Sequence, residues 1–137
     1  MLDKFLEIMK SDYAYAAKFE KSTIEIQKSA GKLIYQYNNS NPDDEEQRNT
    51  ILKELFQDEN LNIMIVPPFH CDYGFNVHFE GFAFLNCNCM ILDTSPVYIG
   101  DGALIGPGVH ASHGMERTHL DAISNTMKLL FAYLTNK

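Results

Sequence analysis

The sequence predicts a mainly β fold with helical ends: a short parallel β-solenoid, preceded by an α-helical segment and followed by a C-terminal helix. Apolar residues recur six apart at Phe79, Leu85, Ile91, Val97, Ala103 and Val109. A second column runs beside it at Ile99, Ile105 and Ala111, with Gly100 and Gly106 in step. Six is neither the helical period nor simple strand alternation. It is the repeat of a solenoid in which a short strand and a turn recur. On either side of this stretch the apolar residues fall at helical spacing instead.

Taken in order, Phe5, Leu6, Ile8 and Met9 give a short amphipathic start. Phe19, Ile24, Ile26, Ala30, Leu33, Ile34 and Tyr37 then share one face of a longer helix. Asn38-Asn39-Ser40-Asn41-Pro42 breaks it. Asn41 is the expected cap of the next helix, with Pro42 at its first position and Asp43 to Glu46 at the positive end of its dipole. That helix runs through Ile51, Leu52, Leu55 and Phe56, and its charges read as a solvated face. Ile63 to Val66 is a short strand stopped by Pro67-Pro68. From Phe69 to about Ala111 the six-residue register is expected to hold, with Gly74, Gly81, Gly100, Gly102, Gly106 and Gly108 at turns. Ile123, Met127, Leu130, Phe131 and Leu134 then predict a terminal amphipathic helix, suited to covering the exposed edge of the last coil. The expected division is 1–58 helical, 59–112 solenoid and 113–137 a divergent helical tail.

Composition narrows the function. A net charge of −7 argues against nucleic acid or an anionic membrane as the main partner, but says little about a neutral sugar. The start lacks the basic region and apolar run of a signal peptide, and no stretch approaches the roughly 18 apolar residues needed to cross a bilayer. The expectation is a soluble, cytoplasmic protein. Three cysteines, Cys71, Cys87 and Cys89, fit a reducing compartment better than a disulfide framework. Cys87 and Cys89 would point the same way on a strand, but a zinc site needs two further ligands. His70 and His78 do not supply a known spacing. Buried thiols and no metal are expected.

The segment Pro67-Pro68-Phe69-His70-Cys71-Asp72-Tyr73-Gly74, continuing through Asn86-Cys87-Asn88-Cys89-Met90-Ile91-Leu92-Asp93 and Ile105-Gly106-Pro107-Gly108-Val109-His110, resembles the maltose and galactoside O-acetyltransferases. Tyr35-Gln36-Tyr37-Asn38 and the helix to Phe56 are similar to that family's helical segment. The resemblance covers about residues 9 to 110. It implies a left-handed β-helix, acetyl-CoA as co-substrate, a sugar acceptor and a homotrimer with sites between neighbouring β-helices. It also implies direct transfer without a metal. A histidine near its normal pKa removes the hydroxyl proton as the oxygen attacks the thioester, and backbone amides stabilise the oxyanion.

Carried over by position, Asp72, Phe84, Asn86 and Asp93 fall at or beside the acceptor site. Each also has a plain structural reading. Asp72 suits an Asx-turn, Phe84 a core position and Asp93 a turn cap. Asn86 and Asn88 suit a stacked polar ladder. The resemblance weakens at the base. The family pattern Gly-Val-His places a further histidine six positions after His110, where this chain has Glu116. His113 lies three residues early and His119 three late; of these candidate bases His113 is preferred, since it precedes full loss of the repeat. His110 reads as a turn residue, and His70 and His78 as structural. Family members continue into further coils that form most of the acetyl-CoA tunnel, whereas this chain turns to its helical tail. The alternative is therefore a catalytically inactive, shortened homologue serving as a structural or oligomerisation module.

Overall fold

The computed structural model describes residues 6, 7, 9 and 21–112. The predicted terminal helix lies outside them. Among the described residues, 6, 7 and 9 are helical, and two longer helices, α1 (Lys21–Asn38) and α2 (Glu45–Phe56), precede eight short strands. These are β1 (Ile63–Ile65), β2 (Phe69–Cys71), β3 (Val77–Phe79), β4 (Ala83–Leu85), β5 (Cys89–Leu92), β6 (Val97–Ile99), β7 (Ala103–Ile105) and β8 (His110–Ser112). All paired strands are parallel, and they form three faces of a prism: β1-β4-β7, β2-β5-β8 and β3-β6.

Helix α2 does not begin where the sequence suggests. Asp44 caps it, accepting the Gln47 amide at 3.0 Å. Asn41 instead accepts the Asp43 amide in the turn before. Both residues suit a cap, but Pro42 and Asp43 lie in a turn, which moves the first helical residue to Glu45.

The coil repeats every 20 residues, since Ile63 pairs with Ala83 and Ala83 with Ala103. Strand starts are six apart from β1 to β2, at 63 and 69, but eight apart from β2 to β3, at 69 and 77. The same longer corner recurs between β5 and β6, at 89 and 97. The six-residue column is therefore two columns joined. Phe79, Leu85 and Ile91 occupy the third position of their strands, whereas Val97 and Ala103 occupy the first and Val109 immediately precedes β8. The true third-position column continues through Ile99, Ile105 and, by its pairing with Ile91, Ala111. The slip is invisible in hydropathy because two extra residues preserve which side of the strand faces inward. First and third positions fill the core while middle positions face out, as in Ile63, Met64 and Ile65, which read buried, exposed, buried.

Corners use residues that tolerate left-handed backbone. Asn88 (φ 61°) and Gly108 (φ 71°) occupy equivalent places 20 residues apart, and each donates its amide across the corner below, to Pro68 and Cys87. Cys87 thus sits in a corner, not on a strand. The expected shared orientation with Cys89 is lost: Cys87 is half-buried, while Cys89 is buried with its thiol 3.3 Å from the Gly106 carbonyl. His110 likewise departs from expectation. It lies on β8, opposite Met90 on the outward side, not in a turn.

The helices close the open end of the first coil. Asn38, the last residue of α1, donates to the Phe69 carbonyl at 3.0 Å and accepts the Phe69 amide at 2.9 Å. Its side-chain amide stands where the peptide of a preceding coil would stand. The buried Tyr37 hydroxyl donates to the Ile65 carbonyl. Phe56, at the end of α2, packs edge-on against Phe69 and Phe79, with centroids at 5.9 and 5.0 Å. Gly74, in the long corner at φ 82°, fits under the same helix; a Cβ there would overlap the Leu55 carbonyl oxygen.

Two substitutions test this closure. Asn38→Leu strands both Phe69 backbone groups and is expected to lower unfolding free energy by about 2–4 kcal/mol. Gly74→Ala combines left-handed strain with a backbone overlap and should lose at least about 3 kcal/mol. Urea unfolding monitored by circular dichroism reads both; values within about 0.5 kcal/mol of the unaltered chain would show that the contacts do not matter.

Candidate functional site

The long corner after β2 carries Asp72-Tyr73-Gly74-Phe75-Asn76, and the corresponding corner of the next coil begins with Asp93. No strand ladder runs through this corner, so its amides need other acceptors. Asp93 supplies them. One carboxylate oxygen, Oδ1, accepts the amides of Asp72 (3.0 Å) and Tyr73 (2.9 Å), and Oδ2 accepts that of Asn76 (3.3 Å). Asn76 returns its side-chain amide to the Asp93 carbonyl at 3.0 Å and to the Met9 carbonyl at 3.0 Å. Both side chains are fully buried, at 0% exposure. Met9 packs with Tyr73 and Phe75, against this corner.

Burial raises the Asp93 carboxyl above its ordinary value, against the lowering effect of the amides of Tyr73 and Asn76. Asp72, half-buried in the same corner, is also raised by burial, partly offset by nearby His70. The buried Cys71 thiol is pushed well above its usual range, first by burial and then by Asp93 and Asp72, so it is held as a neutral thiol. Among the described residues, no three His, Cys, Asp or Glu side chains gather closely enough to hold a metal ion.

The other candidates lie elsewhere on the prism. Phe84 is the middle residue of β4 and so faces outward, half-buried between Met64 and Leu104, which are 58% and 53% exposed. It is not a core residue, because the core positions of β4 are Ala83 and Leu85. Asn86 begins the next corner, where its Oδ1 accepts the Cys87 amide at 2.8 Å. Asn88 adopts the left-handed turn described above, so the two asparagines do not form a stacked ladder. Asp72 follows the end of β2, whereas Asn86 precedes β5, its neighbour on the same face. The two therefore stand at opposite edges of that face, on the order of 15 Å apart at ~3.3 Å per strand residue. His78 is outward on β3, its ring stacked on that of Tyr98 at 5.0 Å. His113 and His119 lie outside the described residues. Sequence reasoning missed Asn76; nothing in Phe75-Asn76-Val77 distinguishes a buried network residue from a turn asparagine.

Three parallel faces, polar corners and a helical closure define the class: a hexapeptide-repeat protein with a left-handed parallel β-helix. Residues 9–59 match the maltose acetyltransferase hexapeptide capping motif, and this segment contains both α1 and α2. Nodulation protein L of Rhizobium meliloti (strain 1021) is 44% identical over 81 residues, which are 59% of this chain and 44% of that protein. The crystal structure of a maltose O-acetyltransferase from Clostridium difficile 630 superposes with a TM-score of 0.68 at 29% identity, over 85% of this chain and 63% of that one. A hexapeptide-repeat acetyltransferase from Vibrio cholerae O1 biovar eltor, solved in complex with acetyl coenzyme A, gives 0.65 at 31% identity, over 86% and 64%. The chain is thus similar, over these segments, to the maltose and galactoside O-acetyltransferases, and residues 9–59 carry their capping motif. It spans under half the length of the curated relative just described. No helix among the described residues is long and apolar enough to cross a membrane.

The raised Asp93 carboxyl has a measurable consequence. Its folded value lies above the ordinary 3.8, so between the two the folded state holds more proton than the unfolded state. Stability contributed by Asp93 is full below about pH 3.8 and falls as pH rises through the folded value, with a limiting slope of about 1.4 kcal/mol per pH unit. Urea unfolding of the unaltered chain and Asp93→Asn, compared from pH 4 upward, should show a more negative slope in the unaltered chain; parallel curves would contradict it.

Proposed function

We propose that this chain transfers an acetyl group from acetyl-CoA to a hydroxyl of a sugar of the maltose, glucoside or galactoside class. The transfer is direct, with no covalent enzyme intermediate. Asp72 and Asn86 hold the acceptor hydroxyls, since carboxylate and amide side chains accept from and donate to them. Phe84 offers an outward aromatic surface beside Asn86. A histidine, His113 before His119, takes the hydroxyl proton during attack on the thioester carbonyl. Backbone amides stabilise the oxyanion that forms.

The observation that carries this reading is the placement of Asp72 and Asn86 at the two edges of one face. A single sugar cannot reach across a face within one chain. It can touch both residue types where an edge of one prism meets the opposite edge of another. That geometry supports a homotrimer of the cyclic kind, with acceptor sites shared between copies. A cytoplasmic location agrees with the free thiols of Cys71, Cys87 and Cys89.

Release of free CoA thiol with maltose, glucosides and galactosides as acceptors tests the activity. Turnover is expected with at least one acceptor, and His113→Ala should lower kcat by about 10²–10⁴-fold while His119→Ala has a smaller effect. The reverse order would assign the base to His119. Neither turnover nor acetyl-CoA binding would instead favour a non-catalytic structural or oligomerisation module.

A further inference from the structure

We propose that Asp93 is a positioning residue for the acceptor site: from the second coil it fixes the backbone that presents Asp72, and so governs acceptor affinity without touching the acceptor. This rests on the reading of Asp72 as an acceptor residue. Direct contact by Asp93 is disfavoured by its geometry. At 0% exposure its two oxygens are already committed to the amides of Asp72, Tyr73 and Asn76. Those amides converge on one carboxylate, in the manner of a backbone anion nest. The first of them belongs to Asp72 itself, so the bond that Asp93 accepts is adjacent to the Asp72 side chain.

The arrangement also extends beyond one corner. Asn76 closes the loop, since its backbone amide donates to Asp93 and its side-chain amide donates to the Asp93 and Met9 carbonyls. The Asn76 carbonyl in turn accepts the Val97 amide at 2.7 Å, anchoring the network to β6. The side-chain orientation of Asn76 is fixed by two carbonyl acceptors, and its Oδ1 is left buried without a partner. An unsatisfied buried acceptor is retained only where the surrounding bonds outweigh it. The Asn76 carbonyl meets the β3–β6 ladder at Val97, whereas the three amides that Asp93 accepts lie in the long corner between the β2–β5 and β3–β6 pairings. Asp93 therefore acts on the placement of Asp72 more than on the coil as a whole.

The test uses the full chain, with calorimetric binding of maltose or methyl β-galactoside and residue-resolved amide exchange by NMR. Asp93→Asn keeps the shape but turns an N–H toward N–H groups. It should weaken acceptor binding at least about tenfold and speed exchange at Asp72, Tyr73 and Asn76 by a similar factor, while Ile91 and Ile99 stay within about twofold. Asp72→Asn should weaken binding yet leave exchange at Tyr73 and Asn76 unchanged. Faster corner exchange with unaltered acceptor affinity in Asp93→Asn would overturn the proposal. So would uniform acceleration across β5 and β6, which marks a merely structural role. Should Asp93→Asn fail to fold, Asn76→Ser removes only the two side-chain donations and should weaken binding about threefold; no change there overturns the proposal as well. If Asp72→Asn binds acceptor normally, or the unaltered chain binds neither sugar, it is the acceptor reading of Asp72 that fails.

Discussion

Stacking of parallel strands at a spacing of 20 residues is the constraint on which the rest of the structure depends. Each strand contributes only three or four residues, so no strand is stable by itself. Stability comes from registering inward positions above one another, coil upon coil, until the apolar column is continuous. That demand fixes the parity of every corner. A corner may gain two residues but not one, because one would turn the whole following strand inside out. The corners after β2 and β5 use this freedom, and both gain two.

The longer corner creates a problem that the buried carboxylate solves. Its backbone leaves the ladders, and Tyr73 and Asn76 are buried there, with Asn76 bonded to Met9. Asp93 accepts three of them from the coil next to it, despite the penalty that burial places on its charge. The same logic operates at the open end of the first coil, where Asn38 supplies both halves of a peptide's hydrogen bonding to Phe69. Side-chain groups thus stand in for missing backbone at the two places where the solenoid is interrupted. One of those places closes the fold, and the other presents Asp72.

Much of this was legible in the residues. The helical face at Ala30, Ile34 and Tyr37, the apolar face from Ile51 to Phe56, the strand at Ile63 and the glycine-marked corners appear where hydropathy and turn chemistry place them, whereas Ile24 of the same expected face is exposed and Phe19 lies outside the described residues. Asp72 and Asn86 were readable from their motifs as acceptor candidates. The slip between columns was not readable, since a two-residue insertion leaves the alternation of inward and outward residues untouched. Cap choice between Asn41 and Asp44 was ambiguous for a related reason: both are good caps, and only the turn through Pro42 and Asp43 decides between them. Asn76 carried no signal, because its importance lies in contacts with Met9 and Asp93, which are 67 and 17 residues away.

By itself, the sequence determined that the chain makes a short β-solenoid behind a helical segment, and that its motifs resemble those of the maltose and galactoside O-acetyltransferases. Both are properties of local pattern: periodicity, turn residues and a contiguous motif are written along the chain. Tertiary structure alone decided that Phe84 faces outward, that Asp93 is enclosed, and that Asp72 and Asn86 occupy opposite edges of one face. These depend on how many residues each corner contains and on which coil lies next to which. Such facts arise only when distant segments stack, because the hydrogen bonds that define them cross between coils.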